Sequence, residues 1–85
     1  MLHQIFTVFD SKTSAYMVPF FCPTKGAATR MFEDTCNDKE SQFNRHPEDF
    51  TLFHLGIYDD EKGKLSSLPT PDPIGKAIEF INGEK

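Results

Sequence analysis

Apolar residues in the first ten positions fall on both parities of an extended chain, with Leu2, Phe6 and Val8 on one and Ile5 and Phe9 on the other. A β-branched and aromatic run of this kind predicts a strand that needs cover on both faces. Residues 10–13 are a polar turn. Residues 15–22 are a second apolar run, with Tyr16, Val18 and Phe20 on one parity and Met17 and Phe21 on the other. The two runs predict an antiparallel hairpin. Pro19 removes a ladder donor from the second run, so that strand lies at an edge or ends there.

The period changes after Pro23. Thr24 precedes Ala27, Ala28, Met31, Phe32 and Thr35, which recur at spacings of three and four. A capping hydroxyl followed by that spacing predicts a helix over about 25–36, with Gly26, Arg30, Glu33 and Asn37 on its outer face. Residues 39–49 are polar around Phe43, and Pro47 excludes a regular strand, so this stretch reads as a long loop with one helical turn at 47–49. Period two returns at 51–58, where Phe53, Leu55 and Ile57 face one way and Leu52, His54 and Tyr58 the other. Gly63, within a loop at 59–64, suits the left-handed position of a bulged hairpin turn that leads to a short strand near 65–68. Pro69, Pro71 and Pro73 are expected to break regular structure beyond it, while Ile74, Ala77, Ile78 and Ile81 have helical spacing. The expected architecture is α+β: a small antiparallel sheet of three to four strands, one principal helix packed on one face, and a C-terminal turn or helix, in a single domain over 1–85.

Size narrows the function classes. A chain of 85 residues buries only about 60–65% of its unfolded surface, which excludes a large enzyme with a deep, multi-element pocket unless the chain oligomerises. With 38% hydrophobic and 26% charged residues the composition is that of an ordinary globular chain. Nine residues are Phe, and adjacent pairs such as Phe20-Phe21 point to opposite sheet faces, more than a one-sided core covers. The aromatic surplus therefore suits a partner: the bases of single-stranded nucleic acid, or a second copy of the chain.

The net charge of −4 weighs against a polyanionic partner until it is divided along the chain. Residues 1–32 carry +2, residues 33–61 carry −7, and residues 62–85 carry +1. A partner touching the hairpin and the exposed helix face would meet a mildly positive surface while the acidic middle points away.

Motifs for chemistry are missing. Cys22, Cys36, His3, His46 and His54 lack C-x-x-C or H-x-x-x-H spacing, so neither a metal site nor a cofactor is expected. Asp59-Asp-Glu61 lacks the alternating oxygen ligands of a calcium loop and reads as a solvated hairpin tip. Glu48 and Asp49 suit a helix start. Without a nucleophile elbow, phosphate loop or dinucleotide fingerprint, the expectation is a protein that is not an enzyme. Residues 1–9 lack a basic leader region, and no run approaches the roughly 20 apolar residues of a membrane span. These features predict a cytoplasmic protein, without membrane contact, whose two thiols are reduced.

Several stretches carry a family resemblance: Phe9-Asp-Ser-Lys-Thr13, Pro19-Phe-Phe21, Gly26-Ala-Ala-Thr-Arg-Met-Phe32, Gln42-Phe-Asn-Arg-His-Pro-Glu-Asp-Phe-Thr-Leu-Phe53, Gly56-Ile-Tyr-Asp-Asp60 and Gly75-Lys-Ala-Ile-Glu-Phe80. Over most of its length the chain resembles the small nonstructural protein of gokushovirus-type microviruses, bacteriophages with circular single-stranded DNA genomes. The resemblance implies a role in phage DNA metabolism, as a DNA-binding protein or as the switch from duplex replication to single-strand synthesis and packaging, in the cytoplasm of the bacterial host. It brings no catalytic motif.

The residues themselves supply the candidate site. Lys12, Lys25, Arg30 and Arg45 are candidate phosphate contacts, and Tyr16, Phe20 and Phe43 are candidate stacking faces for single-stranded DNA. A homodimer joined through its strands would double this modest positive strip. Two alternatives use the same features: an adaptor for a replication or capsid protein, and mimicry of DNA by the acidic segment 33–61.

Overall fold

The computed structural model describes residues 1–81; Glu84 and Lys85, counted in the last charge segment, lie outside them. Among the described residues the elements run β1 (Leu2–Asp10), β2 (Ala15–Tyr16), β3 (Phe20–Cys22), α1 (Lys25–Cys36), α2 (Gln42–Arg45), β4 (Phe50–Asp59), β5 (Lys64–Lys76) and a 3₁₀ turn at Ala77–Glu79. The strands form one antiparallel sheet in the order β2-β1-β4-β5, with β3 also paired to β1. The fold is mostly β, a curled five-stranded half-barrel with one 12-residue helix, which corrects the α+β expectation of a three- to four-stranded sheet.

Most of that correction comes from the two sheet edges. Pro19 splits the predicted second strand into β2 and β3, although the Met17 N–H still donates to the Val8 carbonyl at 2.8 Å. At the other edge β5 runs for 13 residues through Pro69, Pro71 and Pro73. An edge strand needs ladder donors on one side only, so proline is tolerated there. The register accommodates it by leaving residues 68–71 unpaired between Ser67, opposite Gly56, and Asp72, opposite His54.

Leu55 changes the sheet more than its size suggests. Phe6 pairs with His54 and Ile5 with Gly56, so Leu55 is an extra residue in β4. A bulge reverses the parity of everything beyond it. Ile57 therefore joins the face of Leu52 and His54, and Tyr58 joins that of Phe53, contrary to simple alternation. Gly56 beside it has no room for a side chain: a Cβ would strike the Ser66 carbonyl and lie 2.9 Å from the Ser67 Cα.

Helix α1 has the expected limits, and Thr24 Oγ1 accepts the Ala27 N–H at 3.0 Å. Its buried stripe is Ala28, Phe32 and Cys36, while Met31 is 52% exposed. The helix is thus rotated from the expected stripe, and Glu33 and Asn37 are half-buried instead of outermost. Asn37 Nδ2 donates to the carbonyls of Glu33 and Phe80, which ties the helix end to the C-terminal turn. A hydrogen-bonded turn does stand at 46–49, where the Asp49 N–H donates to the His46 carbonyl at 3.1 Å, but the stretch ahead of it, expected to be loop, forms α2, whose cap, Ser41, accepts the Asn44 N–H through Oγ. Its Phe43 enters the core between Phe32 and Phe50, with ring centroids 5.3 and 4.7 Å away. The helical spacing at 74–81 yields only the 3₁₀ turn, which buries Ala77. Gly63 takes the left-handed conformation expected of it, with φ +61°.

Candidate nucleic-acid interface

Strand register assigns each paired residue to one of two faces. Phe6, Val8, Phe50 and Leu52 lie on the inner face, in the core with α1. Phe9 opposite Thr51 and Tyr16, and Thr7 opposite Phe53, lie on the outer face. There Phe9, Tyr16 and Phe53 form a triad of rings, with centroid separations of 4.7 Å for Phe9 and Tyr16, 5.6 Å for Tyr16 and Phe53, and 6.5 Å for Phe9 and Phe53. The edge-on orientation of Phe53 to both neighbours matches the quadrupolar preference of aromatic pairs and leaves ring surface unstacked. A second group, Phe21 and Tyr58 at 6.0 Å with His3 beside Tyr58, occupies the far end of the same face. Along β1, His3, the partner of Tyr58, lies six positions from Phe9, about 20 Å of strand, and Ile5, the partner of Phe21, lies four. Between them the Thr7 hydroxyl is buried and donates to the Met17 carbonyl at 2.7 Å.

Charge divides between the faces. Asp10 is registered with Phe50, Asp59 with Leu2, and Asp72 with His54, so these strand carboxylates belong to the inner face. Among the described residues paired on the outer face none is acidic, and Lys76 opposite Thr51 adds a cation at the triad end. Lys12 stands in the β1–β2 turn at that same end, its backbone N–H held by Asp10 Oδ1 at 2.9 Å. The Tyr58 end is less favourable to an anion. There Asp60 accepts from the Met1 ammonium at 2.7 Å and contacts His3 Nε2 at 2.8 Å, and these bonds hold its carboxyl below the usual range.

The remaining chemical groups have structural roles. His54 stacks on Phe6 with centroids 5.0 Å apart, and its Nε2 lies 2.9 Å from Gln4 Oε1 and 3.1 Å from the Gly56 carbonyl, an acceptor that requires the proton on Nε2. Cys22 and Cys36 are free and buried. Burial, with Glu33 nearby, pushes the Cys36 thiol up to about 11, and desolvation raises Cys22, so both are poor nucleophiles. Among the described residues no group of three or more His, Cys, Asp or Glu side chains gathers to hold a metal, and no helix is long and apolar enough to cross a membrane.

The seven candidate site residues do not converge. Tyr16 belongs to the triad, while Lys12, in the turn at that end of the sheet, lines a hollow with the inner-face residues Asp10 and Phe50 and with Asp49. Phe20 is on the inner face, half-buried against Phe6 at 5.9 Å, and Phe43 is buried, so neither offers an open stacking face. Lys25 and Arg30 are exposed on α1, which packs on the inner face. Arg45 on α2 donates through Nη1 to the Glu40 carbonyl at 2.8 Å. Phe9, Phe53 and Lys76 were missed. The parity of Phe9 against Val8 and of Phe53 against Leu52 was a usable signal, but only the pairing of β1 with β4 brings them together.

A family model described as Phage ORF5 protein matches residues 3–80. Protein ORF5 of Chlamydia phage 1 is 33% identical over 64 residues, a match covering 71% of this chain and 67% of that protein. No solved structure matches the chain.

Proposed function

Because the chain belongs to the Phage ORF5 protein family, we propose that it is a phage nonstructural protein that binds single-stranded DNA on the outer face of its sheet. In this reading it acts in genome replication or in the switch to single-strand synthesis and packaging, in the host cytoplasm, without enzymatic chemistry. The observation that supports it is the Phe9, Tyr16 and Phe53 triad on a sheet face where no paired residue among the described ones is acidic, with Lys76 and the Lys12 turn at the same end. Bases stack on Tyr16 and Phe53 with little sequence preference, and the two lysines meet the flanking phosphates. The inner-face carboxylates are turned away from the strand.

Titration of a fluorescent oligothymidine, followed by anisotropy, tests this reading. Phe53→Ala and Tyr16→Ala should each weaken binding by about 5- to 150-fold, the worth of one stacked base. With two phosphate contacts per chain the log–log salt slope should be about −1.4, and Lys76→Ala should reduce its magnitude by about 0.7. Lys25→Ala and Arg30→Ala should leave affinity unchanged. Absence of binding at low salt, or full affinity in Phe53→Ala, would overturn the proposal and return the face to the adaptor reading.

A further inference from the structure

Phe53 and Tyr58 are five positions apart on β4, an odd separation that in an unbroken strand would point them to opposite faces. The extra residue at Leu55 removes that difference. Phe53 pairs with Thr7 and Tyr58 with His3, and Thr7 and His3 share the outer face of β1. A bulge that re-aims one side chain is a recurrent device beside binding sites. Tyr58 is thereby carried onto the face of the ring triad, about 13 Å from Phe53 along the strand. Gly56 stands between them without a side chain, and no paired residue of this face among the described ones is acidic. Phe21 meets the Tyr58 ring edge-on at 6.0 Å, and His3 is tilted against it at 6.0 Å. Tyr58 is half-buried, so its neighbours hold the ring in place while part of its surface stays accessible.

We propose that Tyr58 is a second stacking point for single-stranded DNA, so that the nucleic acid runs lengthwise over β1 and β4 from the triad to Tyr58. The proposal rests on the outer face being a single-stranded DNA surface, and it adds the residue that sets how long a strand that face holds. Bases stacked on Phe53 and on Tyr58 are bridged by roughly three to four nucleotides, near the lower end of the 4–16 that a small single-strand-binding barrel covers. The contact at Tyr58 is with a base and not with a phosphate. Asp60 lies 2.7 Å from the Met1 ammonium and 2.8 Å from His3 Nε2, and Glu61 lies 3.6 Å from the same ammonium. These pairs offset part of the acidic charge at the hairpin tip, and the residues paired on the outer face there, His3, Tyr58 and Leu65, include no lysine or arginine. Stacking requires only a ring face. The strand is thus held by charge and rings at the triad end and by stacking alone at the Tyr58 end.

Anisotropy titrations of fluorescent oligothymidines of increasing length, from two nucleotides to eight, test this. Wild-type affinity should rise by about 5- to 150-fold, the worth of one more stacked base, once the oligomer is long enough to reach Tyr58. Tyr58→Ala should remove that step and weaken the eight-nucleotide complex by the same factor. It should leave the salt slope unchanged, because no phosphate contact is lost. Tyr58→Phe keeps the ring and should bind as the wild type does, whereas Tyr58→Leu keeps apolar bulk without a ring face and should bind as weakly as Tyr58→Ala. Circular dichroism of each variant separates lost contact from lost fold. If no oligomer binds at low salt, DNA binding by this face is overturned and the role of Tyr58 with it. If Phe53→Ala weakens the eight-nucleotide complex while Tyr58→Ala and Tyr58→Leu hold it as tightly as the wild type, the DNA surface stands and the second stacking point is overturned. A Tyr58→Phe protein as weak as Tyr58→Ala would also overturn it, since the hydroxyl and not the ring would then be the contact.

Discussion

On the inner face of the sheet Phe6, Val8, Phe50 and Leu52 are at most 4% exposed, whereas on the outer face Phe9 and Phe53 are half-buried and Tyr16 is 50% exposed. Both faces draw on the same kinds of side chain, often from adjacent positions of one strand. The difference is cover. Ala28 brings α1 close to the inner face, and Phe32, Phe43 and Phe80 interlock above it. The outer rings Phe9, Tyr16 and Phe53 pack against one another, tilted or edge to face, and stay partly exposed. Apolar surface on one face therefore builds stability, and on the other it remains available for recognition.

Removing one ring from each face gives the sharpest test. Phe32→Ala opens a cavity at the junction of α1, α2 and the C-terminal turn and should cost about 3–5 kcal/mol in urea unfolding. A loss below 1 kcal/mol would mean that the helix contributes little to holding the fold. Gly56→Ala should cost about 1–3 kcal/mol, because the added methyl forces β5 away from the Ser66 carbonyl and overpacks the site. Its signature should be faster amide exchange in β5 than in β1.

The inner face should also respond to alkali. The Cys36 thiol is raised to about 11 from 9.0 in the folded chain, so the folded state holds this proton more tightly than the unfolded state. That contribution is fully present below pH 9.0 and is lost as pH rises toward about 11. Cys36→Ser should show a smaller decline in stability over this window in denaturant titrations. Phe53→Ala should have the smallest effect on stability, about 0.5–1.5 kcal/mol from lost ring pairing, while its effect on oligonucleotide affinity should be large. A Phe53→Ala loss comparable to that of Phe32→Ala would erase the distinction between the faces.

Some of this division can be read along the chain. Thr24 and the spacing of Ala28, Phe32 and Cys36 are local signals, and α1 begins and ends where they indicate. Gly63 likewise reports its own turn. Phe43 was misleading because a single aromatic in a polar stretch has no period to reveal that α2 will carry it into the core. The three prolines of β5 were misleading for another reason. They argue against a central strand, and β5 is an edge, a status that depends on which strands pair and not on β5 itself. Tyr16 is a stacking candidate legible in the sequence, but Phe9, Phe53 and Lys76 come from β1, β4 and β5 and come together only through strand pairing.

By itself the sequence determined what depends on near neighbours: the helix and its cap, the strand-forming runs, the turn at Gly63, an aromatic excess beyond a one-sided core, and an acidic stretch in the middle of the chain. The tertiary structure decided what depends on register. A single extra residue at Leu55 reverses the faces of Ile57 and Tyr58, and pairing places Asp10, Asp59 and Asp72 on the side opposite the ring triad. Side chains alternate every residue along a strand, so a shift of one position in a partner far away in sequence determines which face each group occupies. Periodicity within one segment cannot carry that information.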